Sequence, residues 1–517
     1  VSALPIEEPE DRSWHPEQAL IDHRDPERTR GALRQLGDDA WRLGLRWLYG
    51  EALERPTSPE TYPELRTKMF GPTGEPASAP ETPAPYDVIF DELRTRVMPH
   101  LFSAHHPRSF GYFTPPPLPI AVVGETLSAL WQQSVDVWHI SPGASLIEEE
   151  VISWLRDLIG FGARGDSWGV LTSGGTMANL MALALARDAM CRDPGGRRGA
   201  QLEGFGAYVS DQCHFSVGRA LSLLGFPQDT LRVVESDGRF RLQATDVSAA
   251  IARDRAAGRT PLAIVAGAGT TNTGSVDEIA ELATVARSED AWLHVDAAYG
   301  GAALFSPFLA SLLCGIEQAD SVTVDPHKWL YQPHDVGALL VKRRQDLERV
   351  FARRPEYLRS NRPEDEPLDW FHSTMEGTRR FRALKLWMSW RHLGSRGFRR
   401  LVEDNVRLAA YLAERCSNAP DFEVLPVEGP ALSVVCFRHI PVDVDPSPAG
   451  AEWLDRYQTA LQRALELSGE AWVSTTRLRE RVYLRAGVIN HMSNESDIDR
   501  MLDAIRRLSS KVPMEVA

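Results

Sequence analysis

Lys328 lies in SVTVDPHKWLYQP, directly after an apolar β-branched run and between His327 and Trp329. A lysine held in a partly apolar cleft gives up its proton more readily and can form an imine with an aldehyde. Alone, it reads equally as a charge at a strand end. Asp296 closes the run WLHVD and is followed by AAYGGAA, small residues that leave room for a flat ligand. A carboxylate so placed can pair with a protonated pyridine nitrogen and keep the ring electron-withdrawing. Its bland reading is a helix cap or a structural ion pair. In VLTSGGTMANLMALALAR, residues Ser173, Gly174, Gly175 and Thr176 join a strand end to a strong helix. Free backbone N–H groups and the helix dipole can receive a phosphate there, although Ser and Thr also serve as plain caps. His214, in YVSDQCHFSVGRAL, follows one strand-like run and opens a helical one. Its imidazole can stack on a pyridine ring or meet a carboxylate; by itself it is equally a structural histidine.

The elements that must position these residues are legible from periodicity. YVSD (208–211), LAIVAG (262–267), AWLHVD (291–296), SVTVD (321–325) and GALLVK (337–342) alternate with helical stretches such as DEIAELATVARSED. That alternation predicts an α/β fold with a mostly parallel sheet, whose chemistry gathers at the strand C-termini. Asp211, Asp296 and Asp325 each end or follow one of these runs. Beyond about residue 380 come long helices (RALKLWMSWRHLG, GFRRLVEDNVRLAAYLAERC), then short strands (FEVLP, LSVVCFR, VYLRAGV) and a last helix, as in a smaller α/β domain. Ahead of the sheet, Pro26 to Leu53 carries apolar residues at helical spacing, an amphipathic helix or helix pair that needs a surface, its own or a partner subunit's. Gly71 to Pro85, with five prolines, is an extended connector.

Length and charge narrow the function. A chain of 517 residues, 43% hydrophobic, can build more than one core. A net charge of −14 disfavours nucleic acid and anionic membrane as partners, because both require a basic face. Five scattered cysteines without CxxC spacing suggest neither a disulfide framework nor a structural zinc site, and no metal is expected. VSALPIEEPEDRSWHPEQ is acidic without an apolar core, and no apolar run reaches the roughly 18 residues of a membrane span, so a cytoplasmic location is the expectation. LAIVAGAGTTNTG offers a competing reading, a dinucleotide-binding turn of an NAD-type oxidoreductase through Gly267 and Gly269. The third glycine of that fingerprint is replaced by Asn272.

HVDAAYGGAALFSP followed by DSVTVDPHKWLY closely resembles the pyridoxal-phosphate-dependent amino-acid decarboxylases, the family of aromatic-amino-acid, glutamate and cysteine-sulfinate decarboxylases. The likeness continues in order through HPRSFGYF, SPGASLIEEEVISWL, TSGGTMANL, SDQCHFSVGRA, GTTNTGSVDEI, RRFRALKLW and VYLRAGVINH. It implies the aspartate-aminotransferase-like architecture known as fold type I. That means an N-terminal helical extension (1–110) packing on a partner subunit, a large domain with a mostly parallel seven-stranded sheet (111–385), and a small C-terminal α/β domain (386–517). It implies pyridoxal 5'-phosphate as cofactor, a homodimer with the active site at the subunit interface, and decarboxylation of an L-amino acid to its amine and carbon dioxide. By resemblance Lys328 carries the cofactor, Asp296 pairs with the pyridine nitrogen and His214 stacks on the ring. Gly174, Gly175 and Thr176 hold the phosphate, with Thr271, Ala298 and His327 also around the cofactor. Tyr357, in the charged and proline-rich stretch 353–369, resembles the tyrosine of a movable catalytic loop that returns a proton to the α-carbon. An aldehyde-forming relative usually replaces that tyrosine.

The substrate is less defined. Phe110, Tyr112 and Phe113 resemble an aromatic wall suited to a planar side chain, and Arg485 resembles the arginine near the substrate carboxylate. Asp136, in WQQSVDVWHISP with Ser134, would favour a basic side chain if it lined the pocket; on a helix surface it would be neutral to the choice. An aromatic L-amino acid is the first expectation, a basic or acidic one the alternative. Asp325 stands where some relatives carry asparagine near the phosphate. A carboxylate beside a phosphate is repulsive, so no phosphate contact is expected of it.

Overall fold

The computed structural model describes residues 25–162, 165–190, 202–353, 369–441 and 448–512. Packing divides them into two units: the residues up to Ser109 with Leu465–Trp472, and Phe110–Ala464 with Val473 onward. In the first unit, Pro26–Leu48 is a helix whose N-terminus is capped by Asp25, with Pro26 just inside it. None of its residues is buried, and Leu33, Leu36, Trp41 and Leu45 are exposed. A second short helix follows at Glu51–Glu54, and 71–85 contains no helix or strand.

The second unit is built on seven strands: β1 (Trp168–Thr172), β2 (Phe205–Ser210), β3 (Leu231–Val234), β4 (Thr260–Gly267), β5 (Trp292–Asp296), β6 (Ser321–Val324) and β7 (Gly337–Val341). They lie in the order β1-β7-β6-β5-β4-β2-β3, and β7 alone runs against its neighbours. Helices cover both faces, so the central strands are continuous apolar runs; all but the first and last residue of β4 are buried. β3, which the sequence reading did not single out, is a short, half-exposed edge strand with a weak pattern. A second, antiparallel sheet of β8 (Phe422–Leu425), β9 (Val434–His439), β10 (Ser474–Leu478) and β11 (Arg481–Gly487) has the order β10-β11-β9-β8. The long helix Ala383–Ser417 is broken at Gly394, whose φ of 62° only glycine adopts at little cost. This break separates the two helices expected from the pattern.

The dinucleotide reading fails on geometry. Gly267 and Gly269 lead into a turn at residues 271–273, and the next helix opens only at Ile279, so no helix N-terminus receives a pyrophosphate behind these glycines. The end of β1, by contrast, is firmly placed. Arg379 and Glu148 form a fully buried ion pair, and Arg379 also donates to the carbonyls of Val135 (2.7 Å) and Leu171 (2.9 Å). Leu171 N–H donates back to Glu148 (3.1 Å), tying the last turn of backbone before Ser173 to the core.

Candidate active site

Five strand ends converge on one cavity of about 360 Å³. β1 delivers Ser173 to Thr176, β2 His214, β4 Thr271, β5 Asp296 and Ala298, and β6 His327 and Lys328; all line it. The helix Gly175–Met190 begins at the cavity wall, so the N–H groups of its first turn have no carbonyl ahead of them. A Cβ on Gly175 would lie 2.7 Å from Asp325 Oδ2, which explains why no larger residue fits where this turn passes the β6 loop. Gly269 has a φ of +93°, and a Cβ there would lie 2.7 Å from the Tyr299 ring.

Asp296 reaches the cavity with both oxygens engaged. Oδ1 accepts the Ala298 N–H (3.1 Å) and Oδ2 accepts Asn179 Nδ2 (2.7 Å). Lys328 Nζ lies 3.2 Å from Asp325 Oδ2, and His327 Nε2 is 3.8 Å from the same oxygen. Asp325 is buried, and its Oδ1 has no hydrogen-bond partner among the described residues. Burial pushes His214 below the ordinary histidine range, against the pull of Asp296 and with a smaller push from Lys328. Burial lowers His327 too, opposed by Asp325. Behind the site, Phe113, Tyr299 and Trp329 form one stack, with centroids 4.2 and 4.8 Å apart, and Trp329 Nε1 donates to Asn405 (2.9 Å). This stack joins the chain after β5 to the chain after β6, so Asp296 and Lys328 are held in fixed relation.

The expected substrate residues are placed differently. Phe110 is fully buried, and Phe113 stacks on Tyr299 and has the Arg485 guanidinium 4.7 Å from its ring centroid. Neither ring lines the cavity, and Tyr112, 63% exposed, does not line it either. Arg485 is buried and donates to the carbonyls of Thr271 (2.8 Å) and Gly111 (3.0 Å), while its Nη2 is buried without a partner among the described residues. Asp136 is likewise not in the cavity wall; its carbonyl accepts the Phe371 N–H (3.1 Å) and its Oδ1 is buried without a partner among the described residues. Asp211 turns to Arg479 and the Ser236 N–H. Tyr357 lies outside the described residues. The sequence reading missed Asn179, Ser216, His294 and Thr323, buried polar residues joined behind Asp296 and His214. A polar residue inside an apolar helix or strand was the available signal, since such groups are retained only when hydrogen-bonded.

The donor set fits pyridoxal phosphate: an amine for an aldehyde, a carboxylate for a pyridine nitrogen, an imidazole for a ring face, and a helix start behind a glycine cradle for a phosphate. Residues 71–440 match the pyridoxal-dependent decarboxylase conserved domain. The chain is 34% identical over 436 residues to an aromatic-L-amino-acid decarboxylase of Bacillus atrophaeus, covering 84% of this chain and 88% of that protein. It is also 34% identical over 419 residues to an L-2,4-diaminobutyrate decarboxylase of Rhizobium meliloti, covering 80% of each. The crystal structure of Oryza sativa TDC with PLP and tryptamine superposes with a TM-score of 0.85 at 28% identity, over 95% of this chain and 99% of that one. The chain therefore belongs to the pyridoxal-dependent decarboxylases and is a pyridoxal-phosphate-dependent carboxy-lyase of amino acids.

Proposed function

We propose that this enzyme releases the α-carboxylate of an aromatic L-amino acid as carbon dioxide and yields the corresponding amine, working as a homodimer. The observation that carries the reaction is the meeting of Lys328, Asp296 and His214 in one cavity. When bound, pyridoxal phosphate supplies an aldehyde that captures amines and a ring that draws electrons from the substrate's α-carbon. Lys328 holds that aldehyde, and Asp296 keeps the ring nitrogen protonated through a charge whose position is set by two hydrogen bonds. Gly174, Gly175 and Thr176 receive the phosphate, His214 covers a ring face, and Thr271, Ala298 and His327 complete the wall. Arg485, buried outside the cavity wall, holds the Thr271 loop in place, and Tyr357 returns a proton to the α-carbon after carbon dioxide leaves.

The aromatic choice is supported by the Bacillus and Oryza relatives and by Phe215, which lines the cavity and is 61% exposed. Tyr112 and the exposed stripe of Pro26–Leu48 are surfaces for the second copy. A basic side chain is the second reading, favoured by the diaminobutyrate relative and by Asp136 Oδ1, which has no partner among the described residues. Asp136 lies outside the cavity wall, so the aromatic reading ranks first.

Purified protein loaded with pyridoxal phosphate is assayed for carbon dioxide and amine over a panel of L-amino acids, with Lys328→Ala as control. Equal amounts of both products from an aromatic substrate, and none from the variant, are expected. Turnover confined to 2,4-diaminobutyrate, lysine or glutamate overturns the aromatic assignment. Sedimentation of the same sample tests the dimer.

A further inference from the structure

A run of buried hydrogen bonds crosses from β5 to the cavity, and its sense is set where it meets the acceptor-only Asp296 carboxylate. Trp292 Nε1, which can only donate, donates to Ser321 Oγ (2.9 Å). The same hydroxyl lies 2.9 Å from His294 Nδ1. His294 Nε2 then donates to Asn179 Oδ1 (3.1 Å), which also accepts from the Thr323 hydroxyl (2.7 Å). The other end of the Asn179 amide donates twice, to Asp296 Oδ2 (2.7 Å) and to Ser216 Oγ (2.9 Å). Turning the amide over would set its oxygen against the acceptor-only Asp296 carboxylate, so its orientation is settled. The Ser216 backbone N–H donates to His214 Nδ1 (3.3 Å), which makes that nitrogen an acceptor, so the Ser216 hydroxyl, which accepts from Asn179, donates to it as well (2.7 Å). Nδ1 of His214 is thus an acceptor twice over. Nε2 has no protein partner among the described residues, and the ring lines the cavity.

We propose that Asn179 and Ser216 are positioning residues of a one-way relay that fixes the proton of His214 on Nε2 and presents that nitrogen to the cavity as a donor. The group it meets must be an acceptor, such as an oxygen of the substrate carboxylate. Because Asn179 divides its two N–H bonds between Asp296 and Ser216, one amide orients both the carboxylate and the imidazole of the site. Its consequence for turnover rests on the decarboxylase reading; the tautomer does not. The charges acting on His214 are Asp296 from β5, Lys328 and Asp325 from the loop after β6, and Arg219 from the helix that begins at Ser216. None of them contacts Nδ1, so the donors to Nδ1 select the tautomer.

The test is a long-range proton–nitrogen correlation spectrum of the cofactor-loaded protein carrying 15N-histidine, with His214→Gln locating the signal. The wild type is expected to show an unprotonated Nδ1 and a protonated Nε2. Ser216→Ala mixes the tautomers, and Ser216→Thr, which keeps the hydroxyl, restores the wild-type pattern. In turnover, Ser216→Ala lowers kcat/KM about tenfold and moves its acid limb to higher pH, because a donor to Nδ1 opposes protonation of the ring. A wild-type ring protonated on Nδ1 overturns the relay, as does a Ser216→Ala ring with unchanged signals and an unchanged pH profile. The expected tautomer in a protein that decarboxylates no amino acid leaves the relay standing and removes the proposed function instead.

Discussion

Asp296 at the end of β5 and Asp325 just past β6 face one cavity from adjacent strands, yet their surroundings differ in kind. Asp296 is satisfied by neutral donors, one backbone and one amide, so its position does not depend on any other charge. Asp325 has the Lys328 amine on one oxygen, with His327 farther off, and no partner among the described residues on the other. A buried carboxylate in that condition is only as well compensated as its single cation allows. The first is fixed before a ligand arrives; the second changes partner whenever Lys328 does.

The largest effect that sharpens this contrast is Lys328→Ala, which removes both the covalent anchor and the partner of Asp325. Turnover falls below detection, and the visible absorbance of bound cofactor no longer becomes fixed to the protein on borohydride reduction. Next comes Asp296→Asn, which keeps the shape and removes the charge; kcat falls about a thousandfold, as for other preorganised electrostatic groups, while cofactor is still bound. An unchanged kcat would break the comparison from the Asp296 side.

The support behind Asp296 can be loosened by acid. Burial pushes His294, a member of that network, down to about 4 from an ordinary 6.5. Between those values the unfolded chain binds a proton that the folded protein refuses. The stability involved is whole above pH 6.5 and is lost as pH falls toward 4, about 3 kcal/mol in all. Chemical denaturation of wild type and His294→Gln from pH 7 to 4 measures it; the variant should lose less stability over that range. Asp325→Asn is the mildest change. It keeps kcat within about tenfold, a barrier change near 1.4 kcal/mol, because the amide still offers Lys328 a hydrogen-bond partner. Steady-state turnover of the cofactor-loaded variant beside wild type reads it. A thousandfold loss of kcat in Asp325→Asn would erase the distinction between the two carboxylates.

Much of the site was legible because its residues stand where local pattern changes. Lys328, Asp296, His214 and the 173–176 turn each follow a strand-like run, and a parallel sheet brings such ends to one edge. β3 and β10 escaped notice because short, partly exposed strands carry little apolar alternation. By residue type Phe110 and Phe113 read as pocket walls; in the fold Phe110 is buried and Phe113 packs on Tyr299, placements that depend on distant segments.

By itself the sequence determined the α/β alternation, the order of chemical groups along the chain and the helix start behind Gly174. All three follow from local propensity and spacing of a few residues. Only the tertiary structure decided that Asp325 pairs with Lys328, that Arg485 is committed to the Thr271 loop, and which nitrogen of His214 is a donor. Those outcomes depend on which donors and acceptors meet across distant segments, Asn179 with Asp296 and Trp292 with Ser321. A hydrogen bond takes its sense from both partners, and no stretch of sequence contains both.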